Sequence, residues 1–375
     1  MLDRLAAELA ALRSAHQLRD LGLPKGIQLG SNDYLGLSTH PRLKEAIVRA
    51  VQEDERVAST GSRLLSGNHT RWEELEEEFA DFAGAEAALY FSTGYAANIG
   101  LLSSVLKPED TVFSDASNHA SLIDGIRLSQ ARKVIFPHLD LTFLEDALRG
   151  VTGASRKIIV VESIFSMDGD RAPLRELTGL CERFGAFLIV DEAHAVGVEG
   201  PQGRGLAEQS DCVLATVHTC GKALASMGAF VAGPRILRDY LINCARTFIF
   251  STALPPYCAA HVREAVALVR AADLERKYLH ALSSYFKQRM AAEGFDTGRS
   301  DSQIIPLILG STKKAICVAA ALAKAGFALR PIRPPTVPVG TSRLRLSLNA
   351  GLSKSDADAF VRALAAQRET EPVGE

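Results

Sequence analysis

The sequence predicts an α/β protein: a large domain with a mainly parallel sheet covered by helices, then a smaller C-terminal α+β domain. Three observations carry this expectation. The chain, at 375 residues, is long for a single hydrophobic core. Through its middle, apolar β-rich runs alternate with amphipathic helical patterns, as in strands joined by helical crossovers. After a long helical pattern from about 255 to 293, the order becomes strand, helix, strands, helix, which suits a separate unit. The expected division is a helix and arm over 1–40, a large domain over 41–265 and a small domain over 266–375.

Taken in order, "MLDRLAAELAALRSAHQLRD" mixes acids and bases with leucines at helical spacing, so it reads as an amphipathic helix and not a signal peptide. "IQLGSNDYLGLSTHP" is rich in turn formers, with Tyr34 among them, and reads as an ordered arm. The strands of the large domain are "AALYF", "TVFSD", "KVIF", "KIIVVES" and "AFLIVDEAH", with "RWEELEEEFADFAG" and "LRELTGLCERFG" among the intervening helices. Crossovers between such strands are right-handed. In the small domain "SQIIPLILG" and "SRLRLSLNA" are strands, "RPIRPPTVPVG" is a proline-rich loop, and "SKSDADAFVRALAAQ" is a capped final helix.

Apolar residues make up 47% of the chain and charged residues 23%, the balance of an ordinary globular protein. A formal net charge of −2, with no long Lys/Arg block, provides no footprint for nucleic acid or an anionic membrane. The six cysteines form no C-x-x-C pair, and most lie in apolar contexts, so they read as reduced thiols in a cytoplasmic compartment.

Within "VHTCGKALASMGAF", Lys222 is the only residue of certain charge between Asp211 and Arg235. An unpaired ammonium in so apolar a setting is costly, whereas a covalently engaged lysine is not. Asp191 ends the strand of "AFLIVDEAHAVG", where ligands of open parallel sheets bind, although a helix-capping acid would look the same in isolation. The letters D-E-A-H also occur in nucleic-acid helicases, but that reading needs a G-x-x-x-x-G-K-[ST] loop, and position 216, where its first glycine would fall, is Thr. "LYFSTGYAANIGL" places Gly94 between a strand and a fresh helix N-terminus, a setting for an anion. His119 follows the next strand and His194 follows Asp191; each alone reads as structural. Together, a phosphate turn, two imidazoles, a strand-end acid and an isolated lysine form the set a pyridoxal-phosphate enzyme requires.

The stretches "SNDYLGLSTHP", "STGSRLLSGN", "FSTGYAAN", "DASNHASLIDG", "ESIFSMDGDRAPL", "VDEAHAVGVEGPQGRG", "HTCGKAL", "FIFSTALPP" and "SRLRLSL" together resemble the α-oxoamine synthases, pyridoxal-phosphate transferases of fold type I. That resemblance spans almost the whole chain. It implies Lys222 as the Schiff-base lysine, Asp191 as partner of the pyridine nitrogen, His119 stacked on the ring, and His194 and Ser166 at its phenolic edge. It further implies a phosphate held by backbone around Gly94 and Tyr95 with Thr219, and a homodimer in which Ser251 and Thr252 reach the partner's phosphate. Arg343 is implied as the grip for the amino-acid carboxylate, with a solvated strand arginine as the alternative. The acyl substrate is implied to meet an N-terminal arginine, with Arg13 and Arg19 both open, and no metal is implied.

The implied activity is decarboxylative condensation of an amino acid with an acyl thioester. The compact length and "HTCGKAL" with "GAFVAG" are most similar to the branch using L-alanine and a pimeloyl thioester; other branches pair glycine or serine with other acyl-CoAs. Another fold-type I reaction, or a silent partner subunit, are the alternatives, and the second is expected to lack the lysine. One departure is Ala225, where relatives often carry another small residue such as glycine.

Overall fold

Seven strands form one sheet in the computed structural model, which describes residues 1–367. They are β1 (Ala87–Phe91), β2 (Thr111–Asp115), β3 (Arg132–Phe136), β4 (Lys157–Glu162), β5 (Ala186–Asp191), β6 (Val213–Thr219) and β7 (Ala229–Gly233). The spatial order is β1-β7-β6-β5-β4-β2-β3, with β7 antiparallel to both its neighbours and every other pairing parallel. The sheet is therefore mainly parallel, as expected, with one reversed strand that the alternation did not reveal. β1, β2 and β7 are buried at every position, so their continuous apolar runs reflect cover on both faces.

Two compact units divide the chain: 33–166 with 171–276, and 1–32 with 167–170 and 277–375. This departs from the expected cuts at 40 and 265. Residues 1–32 join the C-terminal unit, where Ile27–Gln28 pairs in parallel with Phe327–Ala328, while the rest of the arm, 33–40, belongs to the sheet unit. At the other cut, helix Pro256–Ala271 belongs to the sheet unit, where Cys258, Val262 and Val269 enter one core cluster with Trp72 and Phe79. The long helical pattern is broken at Ala272, whose ψ of 38° leaves the helical region, and a second helix runs from Asp273 to Ala292. Arg276, 5% exposed, donates to the Val269 carbonyl, which also accepts from the Ala272 N–H at the break.

In the C-terminal unit, Ile304–Gly310 and Ser342–Ser347 pair antiparallel, and Pro331–Ile332 from the proline-rich loop adds a short third strand. The final helix Lys354–Ala365 carries a capping box, with Ser353 and Asp356 satisfying each other's backbone N–H. Among the described residues no helix is long and apolar enough to cross a membrane, and all six cysteines are unpaired.

Candidate active site

The carboxyl ends of the parallel strands open on a cavity of about 400 Å3 within the sheet unit. Lys222, Asp191, His119, His194, Gly94, Tyr95 and Thr219 all line it, so residues spread over the middle of the chain converge at one edge of the sheet. Ser166 does not line the cavity; it is buried, and its backbone N–H donates to Glu162 Oε2 at 3.1 Å. Ser251 and Thr252 lie outside it, in the segment after helix Arg246–Ile249.

Each strand end supplies a distinct group. After β1, Thr93 caps the helix Gly94–Val105, its hydroxyl accepting from the Ala96 N–H, so a helix N-terminus faces the cavity. Gly94 is required by the closeness of β6, since a Cβ there would fall 2.5 Å from Thr219 Cγ2. His119 caps the helix Ala120–Ser129, and its Nδ1 contacts Ser121 Oγ at 2.8 Å. Burial chiefly lowers the His119 pKa, with Asp191 opposing and Lys222 assisting.

Asp191 is 4% exposed and accepts from the Ala193 N–H (2.9 Å) and Asn98 Nδ2 (2.7 Å). Asn98 also donates to Ser121 Oγ at 2.9 Å, which completes a chain from His119 to Asp191. The neighbouring Glu192 accepts instead from Ser163 Oγ and from the N–H groups of Leu206 and Ala207, and so fastens the following turn. Burial pushes Glu192 up to about 7 despite those donors.

Lys222 Nζ lies 2.9 Å from His194 Nε2, and His194 Nδ1 lies 2.6 Å from the hydroxyl of Tyr34, itself wholly buried. The arm thus contributes a hydrogen-bonded row, Tyr34 to His194 to Lys222. Tyr34 was legible only as an aromatic in a turn-rich stretch, because its partner is 160 residues away. Glu162 was also missed, although an acid ending the apolar run of "KIIVVES" is the same signal as Asp191; it lines the cavity beside Asp191, its register partner. Ala225 adopts φ 45°, the left-handed region that favours glycine.

In the C-terminal unit, Arg343 is 5% exposed, so it is not a solvated strand arginine. Its Nη1 bonds the Asp168 carboxylate at 2.5 Å and its Nε donates to the Thr341 carbonyl. Arg345 instead donates to Asn32 Oδ1 and Ser347 Oγ. Arg19 bonds the Thr336 hydroxyl at 3.1 Å.

The donor set fits pyridoxal phosphate: a helix N-terminus for phosphate, a carboxylate for a protonated ring nitrogen, an imidazole for a ring face, and an amine for an aldehyde. Residues 24–364 match the aminotransferase class I and II family. The chain is 46% identical to an 8-amino-7-oxononanoate synthase of Anaeromyxobacter sp. (strain Fw109-5), over 97% of this chain and 95% of that one. A solved 8-amino-7-oxononanoate synthase from Francisella tularensis superimposes with a TM-score of 0.79 at 29% identity, covering 92% of this chain and 98% of the other. A serine palmitoyltransferase from S. paucimobilis with bound PLP-myriocin aldimine superimposes at 0.90 with 28% identity, covering 98% and 97%.

Proposed function

The chain belongs to the aminotransferase class I and II family, and on that premise we propose that it is a pyridoxal-phosphate-dependent C-acyltransferase of biotin biosynthesis. It condenses L-alanine with pimeloyl-CoA, or an equivalent carrier-protein thioester, to 8-amino-7-oxononanoate, CO2 and free thiol. The observation that carries the choice of branch is 46% identity along nearly the full length of an 8-amino-7-oxononanoate synthase, against 28% for serine palmitoyltransferase. The higher TM-score of the latter reports backbone shape, which the branches share.

When bound, pyridoxal phosphate supplies an aldehyde that condenses with amines and a protonated ring that accepts the electron pair of an ionised carbon acid. Lys222 Nζ is the amine that would hold that aldehyde, and as a free amine it would take the proton from the amino acid's α-carbon and later return one. Asp191, supplied with two N–H donors, would hold the ring nitrogen's proton. His119 would cover the ring face, and His194 would serve its phenolic edge while orienting Lys222. The backbone at Gly94 and Tyr95, with Thr219, receives the phosphate. Arg343 is the proposed grip for the alanine carboxylate; the carboxylate of Asp168 now bonded to it is of the matching charge.

A homodimer is proposed, with Ser251 and Thr252 meeting the partner's phosphate. Support comes from Phe250 and Leu65, 69% and 85% exposed, on segments tied together by the Ala253 N–H to Gly61 carbonyl bond. The cytoplasm is the proposed compartment, on the strength of the unpaired cysteines. Thiol release with L-alanine and pimeloyl-CoA, compared with glycine or serine and acetyl-, succinyl- or palmitoyl-CoA, tests the assignment. Preference for the first pair with an 8-amino-7-oxononanoate product is expected; preference for another pair moves the enzyme to a sister branch.

A further inference from the structure

We propose that Glu162 is a positioning residue held as a neutral carboxylic acid, whose free Oε1 presents a proton to the cofactor seated against Asp191. Glu162 and Asp191 are cross-strand partners at the ends of β4 and β5, 2% and 4% exposed. Two like charges in one dry wall repel, so only one of the two is stable as a carboxylate. Hydrogen bonding decides which. Asp191 receives the Ala193 N–H and Asn98 Nδ2, whereas Glu162 Oε2 receives the Ser166 N–H and Oε1 has no hydrogen-bond partner among the described residues. An unpartnered buried oxygen on a cavity wall is expensive unless something bound there completes it.

The groups facing Glu162 agree with this. Burial foremost and the Asp191 charge next push its carboxyl up to about 8, against Lys222 and the backbone N–H groups of Ser166 and His119. The His119 ring has its own pKa lowered by burial. Glu192, the residue after the end of β5, bonds Ser163, Leu206 and Ala207, and Asp115 is bonded to His138. A neutral Glu162 leaves the wall with the single charge of Asp191, matched to one protonated ring nitrogen.

The inference rests on assigning the cavity to pyridoxal phosphate, so the first measurement is cofactor binding by the wild-type apoenzyme, whose absence would overturn that assignment and not the state of Glu162. E162Q keeps a neutral donor and E162L removes it. Pyridoxal phosphate is expected to bind E162Q at least about 10-fold more tightly than E162L. Infrared difference spectra at neutral pH should show a carboxylic-acid carbonyl band in the wild type that E162Q lacks, whether or not E162L folds. The melting temperature of apo E162Q should exceed that of wild type by a margin that widens from pH 5 to 8, because the raised pKa makes folded wild type lose stability across that window. Equal weakening by both substitutions, no missing carbonyl band, or a margin that does not change with pH would each overturn the proposal.

Discussion

Replacing Tyr34 with Phe tests whether the arm tunes the lysine through His194. The Tyr34 hydroxyl lies 2.6 Å from Nδ1, and Nε2 lies 2.9 Å from Lys222 Nζ, so the ring's two nitrogens are shared between arm and amine. Whichever proton the hydroxyl gives or takes at Nδ1 sets the opposite role at Nε2. Phe retains the volume of the buried ring, so no cavity forms, and the change is confined to the hydroxyl. Leaving a buried nitrogen unsatisfied costs about 1–3 kcal/mol. If that cost falls on the Lys222 proton-transfer step, the expected loss in kcat is roughly 5- to 150-fold, at about 1.36 kcal/mol per decade. Steady-state thiol release across pH, with the cofactor absorbance recorded on the same samples, is the assay. A positioning role requires the pH profile or the absorbance to shift with the rate. A Y34F enzyme with kcat within about 2-fold of wild type and an unmoved pH profile would refute the relay, since the hydrogen bond would then be structural alone.

Lys222→Ala should abolish the imine absorbance while circular dichroism stays native, and absorbance retained by the variant would remove Lys222 from the chemistry. His218, fully buried beside Phe79 with its pKa lowered to about 3, stays neutral when folded. Its unfolded form takes up a proton below about 6.5, so stability falls as pH drops from there toward 3, and H218Q should flatten that limb in urea titrations if it folds. Arg63 grips Glu76 with two hydrogen bonds, at 2.5 and 3.1 Å, while Glu76 also accepts from the Tyr90 N–H. Arg63→Ala strands that buried carboxylate and should lower unfolding free energy by about 3–5 kcal/mol; a loss under about 1 kcal/mol would mean that Glu76 is neutralised another way. Ala225→Gly relieves φ 45° but loosens the unfolded chain, so a small gain, about 0.5 kcal/mol, is expected in thermal melts.

Strands with apolar runs were legible, because burial on both faces leaves few polar positions to confuse the pattern: β1 and β4 fall where "AALYF" and "KIIVVES" place them, and β2 where "TVFSD" does although its Thr111, Ser114 and Asp115 are polar. β6 and β7 were not, because the stretch holding Lys222 is punctuated by His218, Thr219 and glycines, and nothing local tells an antiparallel strand from a parallel one. The helix break at Ala272 carries neither glycine nor proline and is held by Arg276 from the following turn. Lys222, Asp191, His119 and Gly94 stood out in the sequence as a set and not singly, and the fold brings all four to one cavity. Tyr34 and Asn98 were not, since each acts on a side chain far along the chain, 160 and 93 residues away.

What the sequence shows as three acids near the sheet edge, the fold separates by what each is given to bond. Asp191 and Glu162 stand side by side on adjacent strands, yet both oxygens of Asp191 are bonded while Glu162 keeps Oε1 without a hydrogen-bond partner among the described residues. Glu192, next in sequence to Asp191, takes the N–H groups of Leu206 and Ala207 and lies close beneath Gly205, where a Cβ would fall 2.8 Å from its carboxyl. Neighbouring positions on a strand face opposite ways, so the D-E pair sends one carboxylate to the cofactor cavity and the other to brace the turn behind it. The letters shared with helicases therefore play unrelated parts in this fold: Asp191 and His194 face the cavity, and Glu192 holds the loop in place.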